Sequence, residues 1–334
     1  ERMNLERSNS ILDISGIRIG NWTDSESATG STVILLPENT SCGVDVRGGA
    51  PGTRETDLLR INGHIIGANA FVFSGGSAMG LRVADGVSQY LRENEIGYET
   101  SLGPVPIVPA AILFDLGIGD PVAPTAEAGY YAAEVATDLK MARGNTGAGT
   151  GATVAKLFGM DCALKGGVGS GSIHLKNETG ETFTLAVLAV VNALGDIYDY
   201  QLSRRIAGPR SSTSGFLDTA DALINHKLPI KATESNESTT LVFVATDANL
   251  NSIEVNQLAA ISHNGFAQSI WPVHTQGDGD LVFSAATGLV DLDPQSLLSL
   301  MAQAPLVVAS AIRDAVFSTT GLLDVPSANE WLKQ

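Results

Sequence analysis

Several short segments of this chain are apolar at consecutive positions, and this feature restricts the possible fold more than any other. A run of this kind is typical of a β-strand covered on both faces, whereas a strand with one solvated face alternates polar and apolar residues. The sequence therefore predicts buried sheets enclosed by other layers. The predicted strands cover residues 32–36, 70–73, 105–108, 183–191, 241–246 and 281–285.

Stretches with helical spacing alternate with these strands. In the first stretch, Met79, Val83 and Val87 fall near one face, and the second opens with Thr125 in a Thr-x-Glu pattern that is typical of a helix start. Hydrophobic residues make up 44% of the chain, which is enough apolar material for a folded α/β body and excludes a disordered one. The predicted helices cover residues 77–93, 125–143, 252–270 and 294–317.

The charge of the chain disfavours several classes of partner. Lys and Arg number 20 against 36 Asp and Glu, giving a net charge of −16, the wrong sign for binding nucleic acid or an anionic membrane. No uninterrupted apolar run approaches the ~18 residues of a spanning helix. The two cysteines, Cys42 and Cys162, lack the spacing of a zinc site, and the five His are scattered, so we expect no metal and a reducing, cytoplasmic location.

Two familiar motifs are only partly present. The glycine cluster at 144–152 contains a loose dinucleotide fingerprint, but a helical pattern precedes it, and Lys156 lacks the neighbours of a phosphate-binding loop. Ser77 lies in Gly75-Gly-Ser-Ala-Met-Gly80, where Met79 replaces the second glycine of a nucleophile elbow. We therefore interpret Ser77 as a helix N-cap.

A polar connector at 233–238 leads directly into hydroxyl residues and a buried strand, in the order Ser238-Thr-Thr-Leu-Val-Phe-Val244. These threonines can simply be strand-favouring residues. Alternatively, a Thr freed as a chain N-terminus would carry its own general base, because an α-amine has a pKa of about 7.7 to 8.0 and can accept the proton of the hydroxyl. The pattern alone leaves both interpretations open.

At these residues the chain resembles the S58 peptidases, which include L-aminopeptidase/D-esterases, β-aminopeptidases and nylon-oligomer hydrolases. The resemblance implies a four-layer αββα sandwich, similar to N-terminal-nucleophile hydrolases but with the family's own connectivity. It also implies one domain, 1–334, that cuts itself into an α chain, 1–238, and a β chain, 239–334. The matching motifs occur in order at 42–57, 73–80, 107–116, 147–156, 190–192, 239–248 and 272–280.

The resemblance also implies roles for individual residues. Thr239 corresponds to the nucleophile that becomes the β-chain N-terminus, and Lys156 to the family's active-site lysine. Asn192 corresponds to an asparagine that stabilises the oxyanion. Asp278 and Asp280 correspond to the acidic pair that orients the nucleophile and its amine in the nylon-hydrolase branch.

Two positions depart from the family pattern. Ser238 stands where relatives usually carry Asn or Gly before the nucleophile, which leaves open a slower cut or a shifted one that uses Ser238 itself. Phe114, a predicted substrate-pocket residue, stands where the nylon-hydrolase branch has a Tyr. Without that hydroxyl, the oxyanion must be stabilised by other groups.

The predicted function is a self-processing amide hydrolase that acts on small peptides, amino-acid amides or linear oligoamides. Its chemistry needs no metal or organic cofactor, and family members assemble as tetramers or octamers, so we expect a homo-oligomer. Two alternatives remain. One is an acyltransferase of the ornithine-acetyltransferase type, and the other is an uncut, non-catalytic assembly protein.

Overall fold

The computed structural model describes residues 10–61, 63, 67–229 and 237–333. Residues 233–236 of the polar connector lie outside these residues. Within them, the strands are β1 Arg18–Asp24, β2 Thr29–Leu35, β3 Ser41–Val46, β4 Thr53–Arg54, β5 Ala70–Ser74, β6 Ala110–Ile112, β7 Thr153–Val154, β8 Leu164–Lys165, β9 Gly167–Lys176, β10 Thr182–Asn192, β11 Asp196–Asp199, β12 Arg204–Ala207, β13 Thr239–Ala248, β14 Ile270–Trp271 and β15 Leu281–Val290. The α-helices are α1 Val83–Glu93, α2 Ala126–Glu134, α3 Thr219–Ile224, α4 Ser252–Ser269, α5 Pro294–Phe317 and α6 Ala328–Trp331.

Two five-stranded sheets form the centre of the molecule. The first has the strand order β1-β2-β5-β6-β4, and the second has the order β3-β15-β13-β10-β9. Within these sheets, β5 pairs with β6 and β13 pairs with β15 in parallel, and the other neighbours are antiparallel. Each parallel pair is joined by a crossover that contains a helix, as parallel strands require.

The two sheets pack face to face through aromatic side chains. The ring of Phe71 in β5 lies 4.5 Å from that of Phe283 in β15 and 5.5 Å from that of Phe243 in β13. Because side chains alternate along a strand, the neighbours Val72 and Val242 point away from this interface and pack under the helices. Both faces of these strands are therefore buried, which explains why the sequence is apolar at consecutive positions.

Helices cover the outer face of each sheet. The first sheet is covered by α1 and α2, which approach closely at Gly86, where a Cβ would lie 1.7 Å from the carbonyl oxygen of Ala126. The second is covered by α4 and α5. By length and composition alone α5 could cross a membrane, but half of its apolar window is buried and it packs against β9 and α4 as a core helix does. The predicted αββα arrangement is confirmed.

Two predicted elements differ from the structure. The second helix ends at Glu134 rather than at 143, because Thr137 instead exchanges two backbone hydrogen bonds with Ile19 of the edge strand β1. The strand predicted at 105–108 is absent, and β6 begins later, at Ala110. Pro106 and Pro109 each lack the N–H that a central strand needs.

The N-cap interpretation of Ser77 is wrong. The residue opens a short 3-10 helix, Ser77–Arg82, whose cap is Gly76, and no side chain makes the capping hydrogen bond. Ser77 itself has φ of 54°, in the left-handed region, and its N–H donates to the carbonyl oxygen of Leu113. A backbone hydrogen bond between this turn and the segment after β6 is therefore present where a side-chain cap was predicted.

Candidate active site

The ends of three strands meet at one end of the second sheet. Thr239, the first residue of β13, pairs directly with Asn192, the last residue of β10, because the two strands are antiparallel. β15 runs parallel to β13, with Leu241 opposite Leu281, so the turn that precedes β15 lies beside the start of β13. Residues that are far apart in the sequence are thus brought together by sheet register.

The peptide between Ser238 and Thr239 is buried at this junction. The hydroxyl of Thr239 donates to the carbonyl oxygen of Ser238 at 2.6 Å, and the backbone N–H of Gly279 donates to the same oxygen at 2.8 Å. A carbonyl that accepts two hydrogen bonds is polarised, which makes its carbon more electrophilic. The turn also holds the preceding side chain, because Ser238 Oγ donates to Asp278 Oδ1 at 2.5 Å.

The two aspartates of this turn hold different groups. Asp278 Oδ2 accepts the N–H of Thr275 at 2.6 Å, and Asp280 Oδ1 accepts the N–H of Thr240 at 2.7 Å. Burial, together with the nearby charge of Asp280, raises the pKa of Asp278. Asp280 therefore holds the backbone that follows Thr239, and Asp278 holds the side chain that precedes it.

Lys156 reaches the same cluster from β7. Its Nζ donates to Oδ1 and the backbone oxygen of Asn192, at 3.0 and 3.2 Å, and to the backbone oxygen of Glu237 at 3.4 Å. Burial lowers the pKa of Lys156 to about 7, although nearby carboxylates, led by that of Asp278, oppose the shift. A substantial fraction of this amine is therefore neutral at pH 7 and able to accept a proton.

The side-chain amide of Asn192 is held in one orientation. Its Oδ1 accepts the backbone N–H of Thr153 at 2.9 Å, and its Nδ2 donates to the carbonyl oxygen of Phe114 at 3.0 Å. Because a backbone N–H can only donate, the Thr153 contact identifies the oxygen end of the amide. Asn192 therefore links Lys156 to the segment that carries Phe114.

The glycine-rich segment before Lys156 packs close to its surroundings. A Cβ on Gly151 would lie 1.9 Å from the carbonyl oxygen of Ala28 and 2.8 Å from the Cβ of Asp115. Because glycine has no side chain, the segment can pack this closely and bring Thr153 and Lys156 to the site.

A cavity of about 330 Å³ opens beside this cluster. Its apolar wall is formed by Phe114, Ile118 and Met160, and Lys156 and Glu237 contribute polar groups. Predicted site residues thus lie either in the hydrogen-bonded cluster or, in the case of Phe114, in the wall of the adjoining cavity. The described part of the chain contains no cluster of three or more His, Cys, Asp or Glu side chains able to hold a metal ion.

Residues 9–325 match the model of peptidase family S58. The chain belongs to peptidase family S58. An uncharacterised aminopeptidase of Mycobacterium leprae (strain TN) is 40% identical over 299 residues, which cover 85% of this chain and 80% of that protein. A 6-aminohexanoate-oligomer endohydrolase of Agromyces sp. (strain KY5R) is 30% identical over 317 residues, covering 91% and 84%.

Solved structures share the fold of this S58 peptidase. The Burkholderia sp. beta-aminopeptidase superposes with a TM-score of 0.72 at 20% identity, covering 98% of this chain and 94% of that one. The L-aminopeptidase D-Ala-esterase/amidase of Ochrobactrum anthropi, described as a variant of the Ntn-hydrolase fold, gives 0.71 at 18% identity, covering 93% and 86%. The predicted family and fold are confirmed, and the protein is a hydrolase of amide bonds.

Sequence reasoning missed two buried charged residues near the site. Asp115 accepts hydrogen bonds from Thr29 Oγ1 and the N–H of Gly76, both at 2.7 Å, and burial raises its pKa to about 6. Lys165 donates to backbone oxygens of the glycine-rich segment, and burial lowers its pKa to about 7. Asp115 lies inside one matching motif, whereas Lys165 carries no sequence signal.

Proposed function

We propose that this S58 peptidase uses the hydroxyl of Thr239 as its nucleophile and frees that residue by cutting the Ser238–Thr239 peptide. The observation that carries the proposal is the 2.6 Å hydrogen bond from Thr239 Oγ1 to the carbonyl oxygen of Ser238. It places the hydroxyl against the carbonyl group that it would attack, within a buried site.

In the self-cleavage step, Thr239 Oγ attacks the carbonyl carbon of Ser238 and loses its proton to neutral Lys156. The N–H of Gly279, 2.8 Å from the carbonyl oxygen, stabilises the negative charge that develops there. The C–N bond then breaks, the leaving nitrogen takes a proton, and an ester joins Ser238 to the hydroxyl. Water hydrolyses this ester, which releases a carboxylate at Ser238 and a free amine at Thr239.

The same hydroxyl then serves in turnover. It attacks the substrate amide while its own α-amine or Lys156 takes the proton and passes it to the leaving amine. Asn192, whose second Nδ2 hydrogen can face the substrate oxygen, and backbone N–H groups stabilise the oxyanion. Asp278 and Asp280 orient the new amine, and water hydrolyses the acyl-enzyme. Each step uses acid, base and nucleophilic groups of the chain itself, with no added cofactor.

The substrates that we propose are small peptides, amino-acid amides or linear oligoamides. The cavity beside Lys156 has room for a compact acyl group, and Phe114, Ile118 and Met160 offer it an apolar wall. The relatives named as aminopeptidases and as a 6-aminohexanoate-oligomer endohydrolase fall within this range. A homo-oligomer of cut units stays a prediction, which light scattering on the purified protein would check.

Intact-mass analysis under denaturing conditions tests the self-cleavage. A cut at Ser238–Thr239 gives pieces of 238 and 96 residues, and scaling 34.7 kDa by length gives about 25 and about 10 kDa. A chain that stays whole after long incubation contradicts the proposal and favours a non-catalytic assembly protein. A β chain that begins at Ser238 would instead identify Ser238 as the nucleophile.

Turnover is tested on the cut protein with L-alanine p-nitroanilide and a linear 6-aminohexanoate oligomer. We expect release of the amine from at least one of them. Addition of a second amine as acceptor then separates hydrolysis from acyl transfer. Products dominated by transfer to the amine rather than to water would contradict the hydrolase proposal.

A further inference from the structure

His274 lies in the turn between β14 and β15, four residues before Asp278, and the sequence analysis gave it no role. Its φ of 55° is in the left-handed region, which residues other than Gly adopt uncommonly and at a cost in free energy. Such a conformation persists only where surrounding contacts hold it. The contacts of His274 therefore need an explanation.

Those contacts converge on one oxygen of Asp280. The backbone N–H of His274 lies 3.2 Å from Asp280 Oδ2, and the ring nitrogen Nδ1 lies 2.9 Å from the same atom. Asp280 is buried and uses its other oxygen, Oδ1, to accept the N–H of Thr240. Of the three hydrogen bonds that the described residues make to this carboxylate, His274 thus supplies two.

The ring of His274 makes a hydrogen bond to the described residues through only one of its two nitrogens. Because a carboxylate accepts, Nδ1 is the nitrogen that carries the proton. The opposite nitrogen, Nε2, is buried and makes no hydrogen bond to the described residues. Its surroundings are the rings of His263 and Phe266, with centroids 4.9 and 5.4 Å away. The imidazole therefore packs against two aromatic rings, which also contact each other, and directs the Nδ1 donor at Asp280.

We propose that His274 is a positioning residue of this hydrolase, which fixes Asp280 so that its Oδ1 holds the Thr240 N–H and thereby orients Thr239. The inference rests on the proposed function, because it assumes that Thr239 is the nucleophile. Asp280 and Thr239 are connected through a single peptide group. The Thr240 N–H belongs to the peptide that joins Thr239 to Thr240, so a carboxylate that rotates would release the backbone that carries the reacting hydroxyl.

A pair of variants with matched shape tests the role of the donor. In His274→Asn, the Nδ2 atom occupies the same position along the side chain as Nδ1, and Asn tolerates the left-handed backbone. In His274→Asp, shape and backbone tolerance are the same, but the group cannot donate and opposes the charge of Asp280. The two variants therefore have the same shape and differ in the donor and in the charge that they present to Asp280.

The rate of chain cutting, and kcat and KM on L-alanine p-nitroanilide after cutting, are measured for both variants. We expect His274→Asn to stay within about threefold of wild type. His274→Asp should lose about tenfold to a hundredfold in kcat, because a hydrogen bond to a charged group is lost, with KM changed less than about threefold. A thermal melt and far-UV circular dichroism confirm that each variant is folded.

His226→Asp is the matched control, because His226 also has a left-handed backbone, with φ of 52°, but lies exposed after α3. It should match wild type in both rates. The inference would be overturned if the two folded variants had the same kcat, whether both matched wild type or both lost activity to the same extent. A wild-type chain that is neither cut nor active would instead refute the proposed function, so the two failures are distinguishable.

Discussion

Ser77 and Thr239 are hydroxyl residues at the ends of strands, one after a strand of the first sheet and one at the start of a strand of the second, and their surroundings differ. Ser77 follows β5, in a sharp turn with a left-handed backbone that resembles a nucleophile elbow. Among the described residues, however, no side chain hydrogen-bonds its hydroxyl. Thr239 begins β13 in ordinary strand conformation, but it lies in the cluster that contains Lys156, Asn192 and Asp280.

The proposed assignment of Thr239 as the nucleophile therefore rests on its neighbours and not on local backbone shape. A hydroxyl needs a proton acceptor and a group that stabilises the oxyanion, and those come from neighbouring strands. At Thr239 the proposed proton acceptor is Lys156, and the sheet register supplies the proposed oxyanion-stabilising groups through Asn192 opposite and the Gly279 turn beside it. Ser77 has the strained turn without these partners. The expected effects of substitution follow from this contrast, from the largest to the smallest.

Thr239→Ala should have the largest effect. Without the hydroxyl, the chain should stay uncut, and amide hydrolysis should fall by about 10⁴-fold or more, as for loss of a nucleophile elsewhere. Thr239→Ser keeps an oxygen nucleophile and should retain part of both activities. Intact mass and p-nitroaniline release measure the two. Wild-type cutting in Thr239→Ala would leave only the family and fold assigned.

Lys156→Met should lower the rates of cutting and turnover by about 10²- to 10⁴-fold, which is the usual contribution of a general base. Lys165→Met is the control for removal of a buried lysine, because Lys165 contacts backbone oxygens of the glycine-rich segment instead. It should lower the melting temperature but reduce the rates less than Lys156→Met. A larger loss of rate in Lys165→Met than in Lys156→Met would show that Lys156 is not the general base.

The pH dependence of the self-cleavage rate tests the role of Lys156 as the base. Its pKa is lowered to about 7, so the amine is mostly neutral above pH 7 and protonated below it. The rate of self-cleavage should therefore fall by about tenfold per pH unit below the pKa, since only the neutral amine accepts the hydroxyl proton. Intact mass followed over time at each pH measures this. A cutting rate that rises as the pH falls from 7 to 5 would contradict it.

Ser238→Asn should change the rate of cutting by about two- to tenfold, because the Ser238 hydroxyl bonds to Asp278 and helps to set the scissile peptide, a contact of about 1 kcal/mol. Turnover of the cut enzyme should stay within about twofold, since residue 238 then ends the α chain. Turnover is measured on protein that has already been cut, so that its rate is separated from the rate of cutting. Loss of turnover in that protein would give residue 238 a role in catalysis.

Ser77→Ala should have the smallest effect. The side chain makes no capping hydrogen bond, and Ala meets the same left-handed backbone, so the free energy of unfolding should change by less than about 0.5 kcal/mol. Cutting and turnover should match wild type. If either activity were lost in a folded Ser77→Ala chain, the contrast between the two hydroxyls would be reversed.

Much of the architecture was predictable from the sequence because it depends on local pattern. Runs that are apolar at consecutive positions predicted β10, β13 and β15 as strands with two buried faces, and spacing predicted α4 and α5 almost to the residue. The polar connector that leads into this strand also made Thr239 a candidate nucleophile, and the resemblance to the S58 peptidases then selected it. These features are properties of contiguous residues.

Other features were decided only by tertiary structure. The pairing of Asn192 with Thr239 and the hydrogen bond from the N–H of Gly279 to the Ser238 oxygen depend on the register between segments that are far apart in the sequence. No local pattern encodes these contacts, since each joins residues whose proximity arises from sheet formation. The lowered pKa of Lys156 has the same origin, because its cause is burial by chain that lies far away in sequence.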